Sequence, residues 1–391
     1  MSILTELQDL TGDMRGWRHH LHAHPETAFE EHQTSKLVAE LLTSFGIEVH
    51  TGIARTGVVG VIHGKATGPW VGLRADMDAL DVPEANDFAH RSQHPGKMHA
   101  CGHDGHTAML LGAAKYLAAK RDFAGTVAVI FQPAEENEGG GRVMVEEGLF
   151  ERFPIESVYG LHNWPGLAAG HLAIRPGPQM ASYDIFEITL EGQGAHAAMP
   201  HLGRDSMVAA AQLVTALQTI ASRDANPLDA IVVSVTQIHG GDTWNVLPQQ
   251  AVLRGTVRAF DASVQDLAER RIDEIAQGIA ATFGIKARLR YERRYPPTIN
   301  AREPARIAAA AATALVGADK VDLDPRPSMG AEDFAFLQQA RPGAYIWLGA
   351  GPGQAGCMLH NPGYDFNDEI LNIGAAYWVE LVRQVLGGAD A

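Results

Sequence analysis

The chain has 391 residues, a formal net charge of −15, 46% hydrophobic and 20% charged residues, which is ordinary globular composition at a length that calls for two domains. The acidity, with no local basic patch, argues against nucleic-acid binding, and Cys101 and Cys357 alone cannot build a disulfide framework. The longest apolar run, residues 307–318, falls short of the ~20 residues a membrane span needs. Residues 1–13 lack a charged and apolar leader, so a reducing cytoplasm is the expected compartment.

Taken in chain order, Ile3, Leu4, Leu7 and Leu10 lie at helical spacing, and a second amphipathic helix over 35–45 ends at Gly46. Residues 58–62 and 70–73 are predicted buried strands, 107–119 a helix, and 125–131 a β-branched strand that stops at Pro133. Helices alternating with apolar strands predict a mostly parallel central sheet covered by helices. From about residue 182 the pattern changes. Phe186, Ile188 and Leu190 alternate with Glu187, Thr189 and Glu191, a half-buried strand. A helix over 205–222, strands over 231–238 and 251–260, a helix from a Ser263 cap to Phe283, and a strand over 285–291 follow. That β-α-β-β-α-β order is ferredoxin-like. The expected organisation is therefore an α/β domain over 1–181 and 295–391, carrying an inserted α+β domain over 182–294.

The chemistry concentrates in a few short stretches. His99-Ala100-Cys101-Gly102-His103-Asp104-Gly105-His106 holds thiol and imidazole groups, the preferred ligands of zinc-like cations. A buried structural Cys beside capping His residues is the plainer alternative. Glu135 and Glu136 follow the strand over 125–131. Adjacent carboxylates at a strand end can face different partners, one a metal and the other a substrate, although a Glu-Glu pair is more often a solvated loop. Leu161-His162-Asn163 and Leu359-His360-Asn361 each follow an apolar stretch, and Asp76 ends another, where it could orient a ligand His.

Arg74–Asp78, His99–His106, Gln132–Glu136, Leu161–Asn163, Gly194–His201 and Leu359–Asp368 together resemble the metal-dependent amidohydrolases of metallopeptidase family twenty. The branch is that of hippurate hydrolase, bacterial N-acyl-amino-acid amidohydrolases and plant indole-acetyl-amino-acid hydrolases. The resemblance implies metal ligation by Cys101, His103, Glu136, His162 and His360, with Cys101 bridging two divalent ions (zinc or manganese, with nickel or cobalt as further options) and Glu135 as general base. It implies that the insertion is a lid and dimer contact, giving a homodimer or a tetramer. His196 would then stabilise an oxyanion, on the partner subunit's site, while Asn245 and Arg258 hold a substrate carboxylate. The chain departs from the family at Asp81, where the family usually has Pro, and at Cys357, expected to be an inert buried thiol, with a second metal ligand or a disulfide to Cys101 as the alternatives. His19, His20, His22 and His24 are expected to be structural.

This set suits hydrolysis of an N-acyl-amino acid, a small-molecule substrate, with neither nucleic acid nor membrane as partner. Metal ions would polarise the amide and acidify a water, Glu135 would move the proton, and His196 would steady the oxyanion. A dipeptidase on the same frame and a non-catalytic metal or ligand binder are the rivals. A non-haem iron oxygenase fits five candidate ligands with a thiolate poorly.

Overall fold

The computed structural model describes residues 2–136, 138–352 and 357–387. The chain forms two compact units, one of Met1–Gln179, Ile299–Arg326 and Asp333–Ala391, the other of Met180–Thr298 and Pro327–Glu332. The short return of 327–332 to the second unit has no counterpart in the sequence boundaries of 182–294.

In chain order the main elements begin with α1 (Thr11–Ala23), α2 (His32–Ser44), β1 (Glu48–Ile53), β2 (Gly57–His63), β3 (Ala66–Asp76) and α3 (His103–Lys120). They continue with β4 (Ala124–Gln132), α4 (Gly140–Glu146), β5 (Ser157–Pro165) and β6 (Leu172–Ala173). The second unit then supplies β7 (Tyr183–Glu191), α5 (Ser206–Leu217), β8 (Ile231–His239), β9 (Gln250–Ala259), α6 (Ala262–Phe283) and β10 (Lys286–Tyr295). The chain returns through α7 (Arg302–Val316), β11 (Val321–Asp322), α8 (Ala335–Ala340), β12 (Gly343–Gly351) and α9 (Leu371–Leu386).

The large sheet has the order β1-β2-β4-β3-β5-β12-β6-β11. Its centre, β4-β3-β5-β12, is parallel, while β1 with β2, β2 with β4, and β12 with β6 pair antiparallel. The central strands are apolar on both faces because helices cover both, which is why they read as runs rather than alternations. Val71, Leu73, Val129, Tyr159, Leu161 and Ile346 are buried with Leu110, Leu111, Trp378 and Val382 of α3 and α9 in one core. Helix α3 is buried nearly all round, so it carries no polar stripe.

The register sets the carboxyl ends of the central strands level. Asp76 of β3 pairs with Gln132 of β4, Arg74 of β3 with Gly160 of β5, and Trp347 of β12 with His162 of β5. Open α/β sheets place their sites beyond these ends.

The second unit is an antiparallel sheet of order β8-β9-β7-β10. Phe186, Ile188, Leu190, Leu253 and Val257 pack with Leu213 and Leu217 of α5 and Ile272 of α6. The cap of α6 differs from expectation: Asp261 accepts the Ser263 amide, and Ser263 lies inside the helix. The carboxylate two residues earlier holds the cap position and accepts from both the amide and the hydroxyl of Ser263.

Candidate metal centre

Five side chains from four separate stretches of the sequence meet near the carboxyl ends of β4 and β5. Gly102 turns the chain at φ 98° into α3, so that Cys101 precedes the helix and His103 stands in its first turn. A Cβ at Gly102 would lie 2.3 Å from Asn163 Oδ1, so a side chain has no room there. His162 projects from β5, Glu136 follows β4, and His360 sits at φ 63°. The left-handed backbone at a non-glycine residue is the kind of local strain that surrounding structure must hold.

Cys101 Sγ is the hub. It lies 3.4 Å from His162 Nε2 and 3.3 Å from His360 Nε2, and His360 Nε2 is 3.1 Å from Glu136 Oε1. Cys101, His103 and His162 form one group whose ligand atoms lie within 4.8 Å of one another, and Cys101, Glu136 and His360 form a second. Glu135 joins His103 and Glu136 in a further such group. The first group is buried, while the His360 side chain is 52% exposed, so the second group faces solvent.

The donors present the atoms a cation needs. His103 donates from Nδ1 to the Asp78 carbonyl at 2.9 Å and carboxylate at 3.2 Å, and His162 donates from Nδ1 to the Asn163 carbonyl at 2.6 Å. Both Nε2 atoms are thereby turned away from those carbonyls and toward Cys101. The buried Nε2 of His103 has no hydrogen-bond partner among the described residues, an expensive arrangement that a cation would relieve. Burial and the neighbouring His106 hold the His162 imidazole well below its usual pKa, which keeps it neutral as a ligand must be. Burial, and then Glu136, push the Cys101 thiol up, so a thiolate here calls for nearby positive charge. Residues and donor set therefore fit a pair of thiophilic divalent cations.

Asp76 hydrogen-bonds a histidine outside the expected ligand set and lies 3.8 Å from His103 Nε2. Its Oδ1 accepts from His106 Nδ1 at 2.6 Å and its Oδ2 from Arg74 at 2.7 Å, and the orientation of His103 falls to Asp78. Asp76 closes β3 and is held by its pairing with Gln132, whereas Asp78 lies beyond the strand and can turn toward α3. His106 reaches Asn163 Oδ1 at 2.7 Å, and Asn163 donates to the Tyr364 hydroxyl at 2.7 Å. Sequence reasoning passed over Asp78, His106 and Asn163 as site residues, although all three lie inside motifs it had singled out. Cys101 and Cys357 are both free thiols, and Cys357 is half-buried.

The N-terminal histidines are built into the frame. His22 is fully buried, 2.9 Å from Asp104 and 3.1 Å from Glu84. Arg18, equally buried, reaches Asp365 at 2.7 Å and Asp368 at 2.8 Å. Asp104 follows His103, so this network fastens α1 to the first turn of α3.

In the second unit, His196 and Asn245 stand side by side. His196 pairs with Val246 across a two-residue ladder, and Ala197 donates to the Asn245 carbonyl at 2.9 Å. The exposed His196 accepts the Ala198 amide at Nδ1, 3.1 Å, which puts its proton on Nε2. Arg258 lines a cavity of about 500 Å³ on the sheet face opposite the helices, with Tyr183, Arg254, Arg290 and Arg294. Arg254 pairs with Glu187 at 2.6 Å, and Arg290 and Arg294 pair with Glu292, the latter at 3.1 Å. Arg258 makes no ion pair among the described residues and lies 4.2 Å over the Tyr183 ring.

A family model for peptidase family M20/M25/M40 matches residues 72–384. The chain is 39% identical to the hippurate hydrolase of Campylobacter jejuni subsp. jejuni over 386 residues, spanning 99% of this chain and 100% of that protein. It is 40% identical to an N-acetyl-L-cysteine deacetylase of Bacillus subtilis, over 95% of this chain and 88% of that one. Among solved structures, the Bacillus subtilis YXEP protein, described as a dinuclear metal binding peptidase, superposes with a TM-score of 0.85 at 34% identity, covering 97% and 99% of the two chains.

Proposed function

The chain belongs to peptidase family M20/M25/M40, and from that premise we propose that it is a metal-dependent amidohydrolase that cleaves N-acyl-amino acids to a carboxylate and a free amino acid. The observation that carries this reading is the convergence of two donor groups on Cys101, with the Glu135 carboxylate beside them. Names given to two relatives, a hippurate hydrolase and an N-acetylcysteine deacetylase, both describe removal of an acyl group from an amino acid.

In this reading two divalent ions, zinc or manganese with nickel or cobalt as other occupants, would be held by Cys101, His103 and His162 on one side and by Cys101, Glu136 and His360 on the other. The ions would polarise the amide carbonyl and lower the pKa of the attacking water. Glu135 takes the proton of that water and delivers it to the departing nitrogen, since an amine leaves only once protonated. His196, its proton on Nε2, donates to the oxyanion, and we assign it to the partner subunit's site in a homodimer, or within a tetramer, built through the second unit. Asn245 and Arg258 hold the substrate α-carboxylate. Arg258 suits that task as a half-buried guanidinium with no ion pair among the described residues, since a two-oxygen anion matches its fork. No helix among the described residues is long and apolar enough to cross a membrane. A cytoplasmic site of action completes the proposal.

The test is metal analysis of purified protein together with turnover of N-acyl amino acids and free dipeptides. Two divalent ions per chain, inactivation by a chelator and preference for N-acyl substrates are expected. Chelator-insensitive turnover would refute the metal reading, and faster cleavage of free dipeptides would favour an exopeptidase. Glu135→Gln is expected to keep both metals and lose nearly all turnover.

A further inference from the structure

The geometry points to Glu31 and Asp333 as positioning residues that fix Glu135, an inference that rests on Glu135 being the general base. Glu135 leaves β4 through Ala134, whose φ is 53°. Alanine rarely adopts that left-handed conformation, and something must hold it there. Glu31 does so. Its fully buried carboxylate accepts the Ala134 amide at 2.9 Å and the Phe29 amide at 3.1 Å through Oε1, and the Thr56 hydroxyl at 2.6 Å through Oε2. Phe29 is itself at φ 60°, so a single carboxylate anchors two left-handed residues from segments far apart in sequence.

Asp333 acts from the other side. Its backbone amide donates to Glu135 Oε1 at 3.3 Å. Its carboxylate accepts Gln132 Nε2 at 2.7 Å and the Gly141 amide at 2.7 Å, joining the last residue of β4 to the first turn of α4. Arg74 donates to the same carboxylate at 2.9 Å and to Asp76 at 2.7 Å, all three groups fully buried. Gly140 donates to the Ala134 carbonyl at 2.8 Å and closes the turn from within. The segment bearing Glu135 is therefore pinned before the base by Glu31, and at the base and on both flanks by Asp333. Neither carboxylate belongs to either of the two donor groups that share Cys101. Glu31 acts at the Ala134 amide, and Asp333 acts at the Gln132 side chain, the Gly141 amide and, from its own amide, Glu135 Oε1; the quantity they set is the position of one carboxylate oxygen.

The experiment compares fully metallated Glu31→Ala, Glu31→Gln and Asp333→Asn enzymes with the unaltered enzyme by steady-state kinetics and metal analysis. Glu31→Gln retains an amide oxygen for the Ala134 N–H, so its kcat is expected to stay within about threefold, while Glu31→Ala loses about 10- to 100-fold, the scale of an ångström's misplacement. Asp333→Asn has one acceptor where the carboxylate has two, so its NH2 meets either the Gly141 amide or the Arg74 guanidinium, both donors, and it is expected to lose kcat on a similar scale. In both cases KM stays within about threefold and metal content stays at two per chain, because binding is untouched. Combined with Glu135→Gln, neither change costs further turnover, since it acts only through that base. A lowered melting temperature with unchanged kcat per metallated molecule overturns the proposal, as does a kcat loss that tracks metal loss. If Asp333→Asn does not fold, the contrast between Glu31→Ala and Glu31→Gln decides. An active Glu135→Gln enzyme would sink the reading of the base itself. An inactive Glu135→Gln beside fully active Glu31→Ala and Asp333→Asn sinks only the positioning roles.

Discussion

His103 donates from Nδ1 to Asp78 Oδ1 at 3.2 Å, and the other oxygen of that carboxylate accepts the amide of Glu136 at 2.9 Å. One side chain thus orients a donor from each of the two groups around Cys101. Removing such a support typically costs about 10- to 100-fold in metal affinity. Asp78→Ala is expected to lose affinity on that scale in a chelator competition titration, with most turnover recovered at saturating metal. An unaltered affinity would leave Asp78 without a part in the centre.

Much of this was legible in sequence, and the reason differs from element to element. The strands β3, β4 and β5 announced themselves as apolar runs because both faces are buried, and their ends located Asp76, Glu135 and His162 at once. The edge strand β1 did not. Its Glu48, His50 and Thr51 are polar or half-exposed, so it lacks the apolar signal and is defined by pairing with β2. Asp78, Glu31 and Asp333 were out of reach for another reason. A carboxylate that holds a ligand side chain or a loop amide from a distant segment leaves no spacing rule in the chain. The distance from Glu31 to Ala134 is a property of the fold. Even so, the positive φ of Ala134 explains why the residue between Pro133 and Glu135 needed an external anchor.

The buried His22 makes stability depend on pH with a definite sign. Burial and Arg18 oppose its charge, but Asp104 and Glu84 outweigh them and raise its pKa from 6.5 to about 9. A folded-state pKa above the unfolded one stabilises fully below pH 6.5, and the contribution is lost as pH rises through about 9. A rise from 6.5 to about 9 is worth roughly 3 kcal/mol, counted once for the His22–Asp104 pair. The melting temperature is expected to fall between pH 6.5 and 9.5 in the unaltered protein and to change less in His22→Gln. Parallel curves for the two proteins would show that His22 is not the group responsible.

Arg258 separates recognition of the substrate's carboxylate from chemistry at its amide. If its guanidinium grips the α-carboxylate, Arg258→Ala raises KM for N-acyl amino acids far more than it lowers kcat, and it does little to the corresponding N-acyl amino-acid amides, which have no carboxylate to lose. Arg258→Lys keeps the charge but not the fork, and falls between the two. Equal losses on acid and amide substrates would assign Arg258 to the sheet rather than to the substrate.

His196 allows a test that no single-subunit mechanism passes. Its Nδ1 is occupied by the Ala198 amide, so only Nε2 can donate, and the ring is exposed in its own unit. Losing one oxyanion donor typically costs about 10²- to 10³-fold in kcat, and His196→Ala is expected to fall in that range with metal content unchanged. Glu135→Gln should be inactive for a separate reason. If each site draws its base from one subunit and its oxyanion donor from the other, a mixed dimer of the two variants contains one site with both residues intact and one with neither. Mixing the two inactive proteins under conditions of subunit exchange should then restore up to about a quarter of the unaltered rate, since about half of the dimers are mixed and half of their sites are whole. No recovery, with exchange verified independently, would place His196 in the site of its own chain.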